Sequence, residues 1–382
     1  MTFNLQLFGE KLLRYREQFQ LSLNEVSTQT GIPTASLVKY ESGVERPTGD
    51  VVLILADYYK CDYKFFLSNQ KLASFEETET LFRRFGNEFS KQDRWAVQEC
   101  LFLAECESYL ERKLHRSTEK PFHFEKTGTY FKKHGINAAE DLRQFLGYSR
   151  SEVSMNVYDD MRRIGVRVFR RALEASEISG LCINHPVAGR CVLINYSEDI
   201  YRQRFTAAHE MAHTILDEEE DILVSFSWDK NNLVEVRANA FASAYLMPPV
   251  FLRKIPSVSE WTEKKAIDWA NKFKVSTQAL AIALLGCNLI DDSNYSTIVN
   301  AKVPKSLKED PELPAHLPPR SHERKRSLLE HGLSNYYVAL CFEAYRQDLV
   351  SAARLMEMFM IDSDHELAEL ADLYGESIRY AS

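Results

Sequence analysis

The chain has 382 residues, with 47 Lys plus Arg against 55 Asp plus Glu, so it carries a formal charge of −8. That balance excludes a protein whose whole surface is built for nucleic acid or anionic membrane. At 45% hydrophobic and 27% charged it reads as an ordinary globular chain, and its length exceeds the roughly 250 to 300 residues at which one core stops growing, so two or three domains are expected.

Seven Cys occur without a CxxC pair or regular spacing, which points to a reduced, cytoplasmic chain. No apolar run approaches the roughly 18 residues of a membrane span, so no membrane partner is expected.

Residues 1–70 read as five short helices. Ser22 with Glu25 three residues on is a capping-box signal for the second, and Gly31 closes it. Pro33 is expected in the first turn of the third, which runs to Tyr40 before Ser42-Gly43 breaks it. Residues 71–150 read as a helical connector, with periodic stretches over 76–114 and 138–146. From 155 the pattern turns to β: Val166 to Phe169 alternates, and Leu181-Cys182-Ile183 and Cys191 to Ile194 are apolar runs around a turn. Helices are then expected from Glu198, over 233–246, 260–273 and 277–285. The five-Pro stretch 302–320 reads as a linker or extended surface segment, followed by helices over 334–345, 349–359 and 364–374.

His209-Glu210-Met211-Ala212-His213 is an HExxH sequence on an expected helix. Two His four residues apart share one helical face and can reach one Zn²⁺, with the intervening Glu beside the metal's open position. Such a Glu can take a proton from the attacking water and pass it to the leaving amine. A catalytic zinc needs a third protein ligand. The run Asp217 to Asp221 reads as a solvent-facing loop, whereas Glu235 opens a helix in which Ala238 and Ala242 allow close approach to the HExxH helix.

The set Phe205 to His213, Glu235-x-x-Ala238-Asn239-x-Phe241-Ala242, Leu246-Met247-Pro248 and Val275-Ser276-x-x-Ala279-Leu280 resembles the ImmA/IrrE family of zinc metallopeptidases over residues 155–290. Carried onto this sequence, the resemblance implies metal ligation by His209, His213 and Glu235 and catalysis by Glu210. The N-terminal segment, through Phe8 to Leu12, Leu21-Ser22-Leu23-x-Glu25-Val26, Gly31-Ile32, Ser36-Leu37-x-Lys39-Tyr40-Glu41-Ser42-Gly43 and Arg46-Pro47, resembles the XRE (lambda-repressor-like) helix-turn-helix. That resemblance implies a recognition helix presenting Thr34, Ala35, Ser36 and Lys39 to DNA. Basic and acidic residues nearly balance within 1–70, so few phosphate contacts are on offer there, and docking onto an XRE-type repressor stands as the rival use.

The fold class expected is mostly α with a small β-sheet. It comprises an all-α helix-turn-helix domain (1–70), a helical connector (71–150), an α+β zincin-like metallopeptidase domain (151–295), a Pro-rich linker (296–320) and a C-terminal helical region (321–382). The leading functional expectation is a Zn²⁺-dependent endopeptidase cutting a specific protein such as a helix-turn-helix repressor, in stress response, mobile-element control or phage defence. The alternative is a DNA-binding regulator, or the toxin of a toxin–antitoxin pair, whose metallopeptidase domain acts as sensor or effector. Operator DNA and a second copy in a homodimer complete the expected partners.

Overall fold

The computed structural model describes residues 3–61, 63–69, 81, 89–116, 122–127, 131–175, 177–219, 222–226 and 232–379. The chain divides into two compact units, 1–105 with 185–187, and 106–184 with 188–382. It is mostly helical with one small sheet.

The first unit contains α1 (Leu5–Gln18), α2 (Leu23–Thr30), α3 (Thr34–Glu41), α4 (Gly49–Tyr58), α5 (Tyr63–Leu67) and the start of α6 (Lys91–Lys113). The remainder of the periodic stretch expected over 76–114 lies largely outside the described residues. The Ser22 signal is realised as a full capping box: Glu25 N–H donates to the Ser22 hydroxyl at 3.2 Å, and Ser22 N–H donates to the Glu25 carboxylate at 2.7 Å. Pro33 is the N-cap of α3 rather than part of its first turn. Its ψ of 138° is extended, while its carbonyl accepts from Ser36 and Leu37. Phe8, Leu12, Tyr15, Phe19, Leu37 and Phe66 share the core, and the Phe19 ring stacks on Trp95 with centroids 4.2 Å apart. Arg16 grips Glu41 with two hydrogen bonds of 2.7 and 2.9 Å, tying α1 to α3. Lys11, almost fully buried, donates to the carbonyls of Phe65 and Ser68 and so satisfies the end of α5.

The second unit opens with α7 (Phe131–Phe145), α8 (Val157–Arg163), β1 (Arg167–Arg171), β2 (Ile178–His185), β3 (Gly189–Asn195) and α9 (Ile200–Leu216). It continues through β4 (Ile222–Phe226), α10 (Leu233–Leu246), α11 (Pro249–Leu252), α12 (Glu263–Phe273), α13 (Thr277–Gly286) and α14 (Asp292–Asn300). The helices α15 (Pro319–Glu330), α16 (Asn335–Arg346), α17 (Ala352–Phe359) and α18 (Asp364–Tyr374) complete it.

The strands lie in the order β1-β3-β2-β4. β1 runs parallel to β3 with Val168 opposite Val192, and β2 runs antiparallel to β4 with Leu181 opposite Val224. α9 packs its small residues Ala207, Ala208 and Ala212 into the core that holds Val168, Val192 and Ile194. Arg204, fully buried on α9, donates to the carbonyls of Met155 and Ser154 at 2.8 and 2.7 Å, which fixes the rotation of the helix. α10 lies between α9 and α7. On the α7 side the approach is so close that a Cβ at Gly135 would stand 2.3 Å from the Arg237 carbonyl oxygen, which only glycine allows.

Besides the helices α14 and α15, which the sequence reading does not anticipate, two segments differ from it. After the acidic run the chain re-enters the sheet as β4, which pairs with β2; of that run, Glu220 and Asp221 lie outside the described residues. The Pro-rich stretch is also held down. Asp310 accepts from Arg170 at 2.7 and 3.0 Å, and Glu312, buried, pairs with Arg170 at 2.9 Å and Arg162 at 3.0 Å. Two buried guanidiniums need carboxylates, and this segment supplies them.

Candidate metal centre

His209 and His213 stand one turn apart on α9, and Glu235 projects from the first turn of α10. The His209 and His213 Nε2 atoms are 3.0 Å apart. Glu235 Oε2 is 3.0 Å from His209 Nε2, and its Oε1 is 3.4 Å from His213 Nε2. Ligands held at zinc distances of about 2.0–2.1 Å in a tetrahedron are separated by about 3.3 Å, so the three donor atoms already have that spacing. All three residues are buried.

The outer ring nitrogens are already engaged. His209 Nδ1 donates to Asn239 Oδ1 at 3.0 Å, and His213 Nδ1 donates to Asp217 Oδ2 at 2.9 Å. Asp217 is held in turn by the Arg237 guanidinium. With each Nδ1 donating outward, two Nε2 atoms and a carboxylate face one point, an arrangement that calls for positive charge between them, a proton or a metal ion. Burial disfavours a charged His213, but its hydrogen bonds to Asp217 and Glu235 outweigh that and hold it up to about 10. Burial likewise opposes ionisation of Glu235, yet the two imidazoles pull it down to about 2. Both shifts record one demand for positive charge, and the donor set fits a divalent cation of the zinc type.

Glu210 lies beside this centre, fully buried, and its two oxygens have no hydrogen-bond partner among the described residues. Burial raises its proton affinity above the usual carboxylate range, against opposing pulls from His213, His209 and the Ser225 hydroxyl on β4. Gly180 on β2 makes the room for it. A Cβ there would meet Glu210 Oε1 and the Thr206 methyl at 2.8 Å each. The strand pairing is irregular between Ile178 and Gly180, at the same place.

His209, Glu210, His213 and Glu235 are thus brought together as the sequence spacing implies. From the sequence alone, no role at the metal falls to Asn239, which enters only within the family motif, to Asp217, which reads as solvent-facing, or to Gly180. The available signals were Asp217 four residues after His213 and Asn239 four after Glu235, each one turn along the same helix face. On α3, Ala35 and Lys39 are exposed and Ser36 is half-buried, while Thr34 donates its hydroxyl to Asn24 at 3.3 Å. Val38 is also exposed on that helix, and Lys39 is paired with Glu45 at 2.8 Å.

Residues 161–285 match the family model described as the IrrE N-terminal-like domain, and residues 12–66 match that of a helix-turn-helix. The chain carries an IrrE N-terminal-like, metallopeptidase-type domain. Its matched segment spans β1 to α13 and includes all four residues around the metal-binding point. The helix-turn-helix match covers the second half of α1, all of α2 to α4 and α5 to its penultimate residue. No match to a curated protein was found. No helix among the described residues is long and apolar enough to cross a membrane.

Proposed function

We propose that the chain is a zinc-dependent endopeptidase that cuts a specific protein, with His209, His213 and Glu235 as metal ligands and Glu210 as the catalytic base. The observation that carries this reading is the convergence of two Nε2 atoms and a carboxylate at tetrahedral spacing, beside a buried carboxylate whose oxygens have no hydrogen-bond partner among the described residues. Bound zinc would supply Lewis-acid activation of a water and of the peptide carbonyl. Glu210 accepts a proton from the attacking water as its oxygen bonds to the carbonyl carbon, then gives it to the nitrogen of the leaving amine as the C–N bond breaks. Its raised proton affinity suits both roles, since a carboxylate of ordinary acidity holds an abstracted proton poorly. Asn239 and Asp217 keep each imidazole in the tautomer that leaves Nε2 free.

The helix-turn-helix match supports a second element of the reading, a role in transcriptional control. A helix-turn-helix repressor is the substrate class that joins the two domains, in stress response, mobile-element control or phage defence. In this division of labour 1–70 recognises operator DNA or the repressor, 71–150 connects, 151–295 cuts, 296–320 links and 321–382 completes the helical end. Within a regulator or toxin the same peptidase domain would act as the effector.

Co-expression of wild type and Glu210→Gln with candidate repressors tests the reading. A zinc-dependent fragment is expected with the wild type and not with the variant. Purified protein without stoichiometric zinc, or equal cleavage by both forms, overturns it.

A further inference from the structure

Behind the metal-ligand helix lies a cavity of about 240 Å³, partly open to solvent, between α10, α7 and α13. Its walls are mainly apolar, formed by residues such as Ile136, Val236, Ala240, Leu252 and Ile282. No carboxylate lines it among the described residues. One cation lines it and a second lies within electrostatic reach of its wall, next in sequence to the lining Leu252. Lys132 is part of the lining, and Arg253 acts with Lys132 on the lining thiol of Cys287, drawing its proton affinity down against the larger effect of burial. Both cations are exposed, and neither has an ion-pair partner among the described residues. Asn239 belongs both to this lining and to the metal centre, where its Oδ1 holds His209.

We propose that this cavity binds a small anionic amphiphile, a medium-chain carboxylate, with its chain against the apolar walls and its charged end at Lys132 and Arg253, and that its occupancy is felt at His209 through Asn239. An apolar cavity of about 150 Å³ accommodates benzene, so one of this size takes a chain of roughly eight to ten carbons. Each buried methylene tightens binding about fourfold. The two cations, without ion-pair partners among the described residues, favour a carboxylate over an alcohol of equal length, and would repel an ammonium. A chain reaching Asn239 alters the hydrogen bond that sets the His209 tautomer. By reciprocity, ligand and metal must then change each other's affinity by the same factor.

The test uses the full chain with octanoate as probe, 1-octanol and octylammonium as controls, and binding read by calorimetry, so it stands apart from whether the chain cuts anything. Saturable one-to-one binding of octanoate is expected, about tenfold tighter than 1-octanol. A further loss of about tenfold is expected in the Lys132→Ala, Arg253→Ala double variant. Gly286→Leu is the filling variant: it adds a side chain where a Cβ meets nothing within 4 Å, and it should abolish binding without disturbing the melting temperature. Zinc affinity, read by chelator competition, should shift at least threefold with saturating octanoate in the wild type and not in Gly286→Leu. Binding that does not saturate, that survives Gly286→Leu, or that is equally tight for alcohol or ammonium overturns the anion site. The last of these outcomes points instead to a pocket for an apolar side chain of a protein. Octanoate binding with unchanged zinc affinity overturns the coupling through Asn239.

Discussion

Gly180 on β2 faces Glu210 on α9 so closely that a single added methyl would stand 2.8 Å from the Glu210 carboxylate oxygen and 3.1 Å from its Cγ. The strand therefore sets where the buried carboxylate can sit. Gly180→Ala is expected to push Glu210 out of line with the metal-binding point while leaving His209, His213 and Glu235 in place. Cleavage should fall by at least about tenfold, because misplacement by an ångström costs on the order of a hundredfold. Zinc content should stay at one per chain. Zinc analysis alongside the fragment assay checks this, and loss of zinc with loss of cleavage would count against it.

The Asp217 carboxylate joins His213 to Arg237. Asp217→Asn keeps the shape but replaces an anion that favours the Nδ1–H tautomer of His213. Outer partners of this kind typically contribute 10- to 100-fold to metal affinity, and a loss in that range is expected. The buried Arg237 loses its counter-charge at the same time, so a drop in stability of about 3 kcal/mol should accompany it. Chelator competition and urea unfolding measure the two effects separately.

What local pattern could reveal and what it could not divides along physical lines. The Ser22 cap and the limits of α10 and α18 depend on neighbours within a turn, and the sequence carries them directly. HExxH is legible because two ligands and the carboxylate share one helix. By sequence Asp217 reads, with its acidic neighbours, as solvated. Its burial comes from Arg237, twenty residues away on another helix, and no local periodicity encodes that pairing. β4 was hidden for a similar reason: five residues after an acidic run become a strand only because β2 offers them an edge. Asp310 and Glu312 lie in a Pro-rich stretch that reads as a linker; their partners Arg170 and Arg162 are 140 and 150 residues away, and no local pattern encodes that pairing.

Glu107 on α6 is buried near Arg162 and Arg167, with its carboxylate 3.8 Å from Arg167 Nε. Burial, only partly offset by Arg162 and Arg167, pushes it up to about 7. The unfolded chain has an ordinary Glu near 4.5, so between that pH and 7 the folded state binds more protons. Stability from this group is therefore fully present below pH 4.5 and lost as pH rises through 7, a swing on the order of 3 kcal/mol. Glu107→Gln, which carries no titrating proton, should flatten that part of the profile. Urea midpoints of both proteins from pH 5 to 8 check it; parallel profiles would falsify the assignment.

Lys39 is the one basic residue on α3, and Glu45 holds it at 2.8 Å with both side chains well exposed. An exposed pair of this kind is weak and screened by salt, so it does little for stability. It does, however, cancel the charge that would meet a phosphate. Glu45→Gln should therefore raise affinity for any duplex about threefold at low salt and steepen the log–log salt dependence by about one, the increment for one added phosphate contact. Stability should stay within about 0.5 kcal/mol, as for surface changes generally. Adding Lys39→Ala should return both affinity and slope to or below the starting values. Anisotropy titrations of a labelled duplex at several salt concentrations measure all three proteins. An unchanged slope in Glu45→Gln would place α3 away from the phosphates and favour a protein surface as the target of the helix-turn-helix.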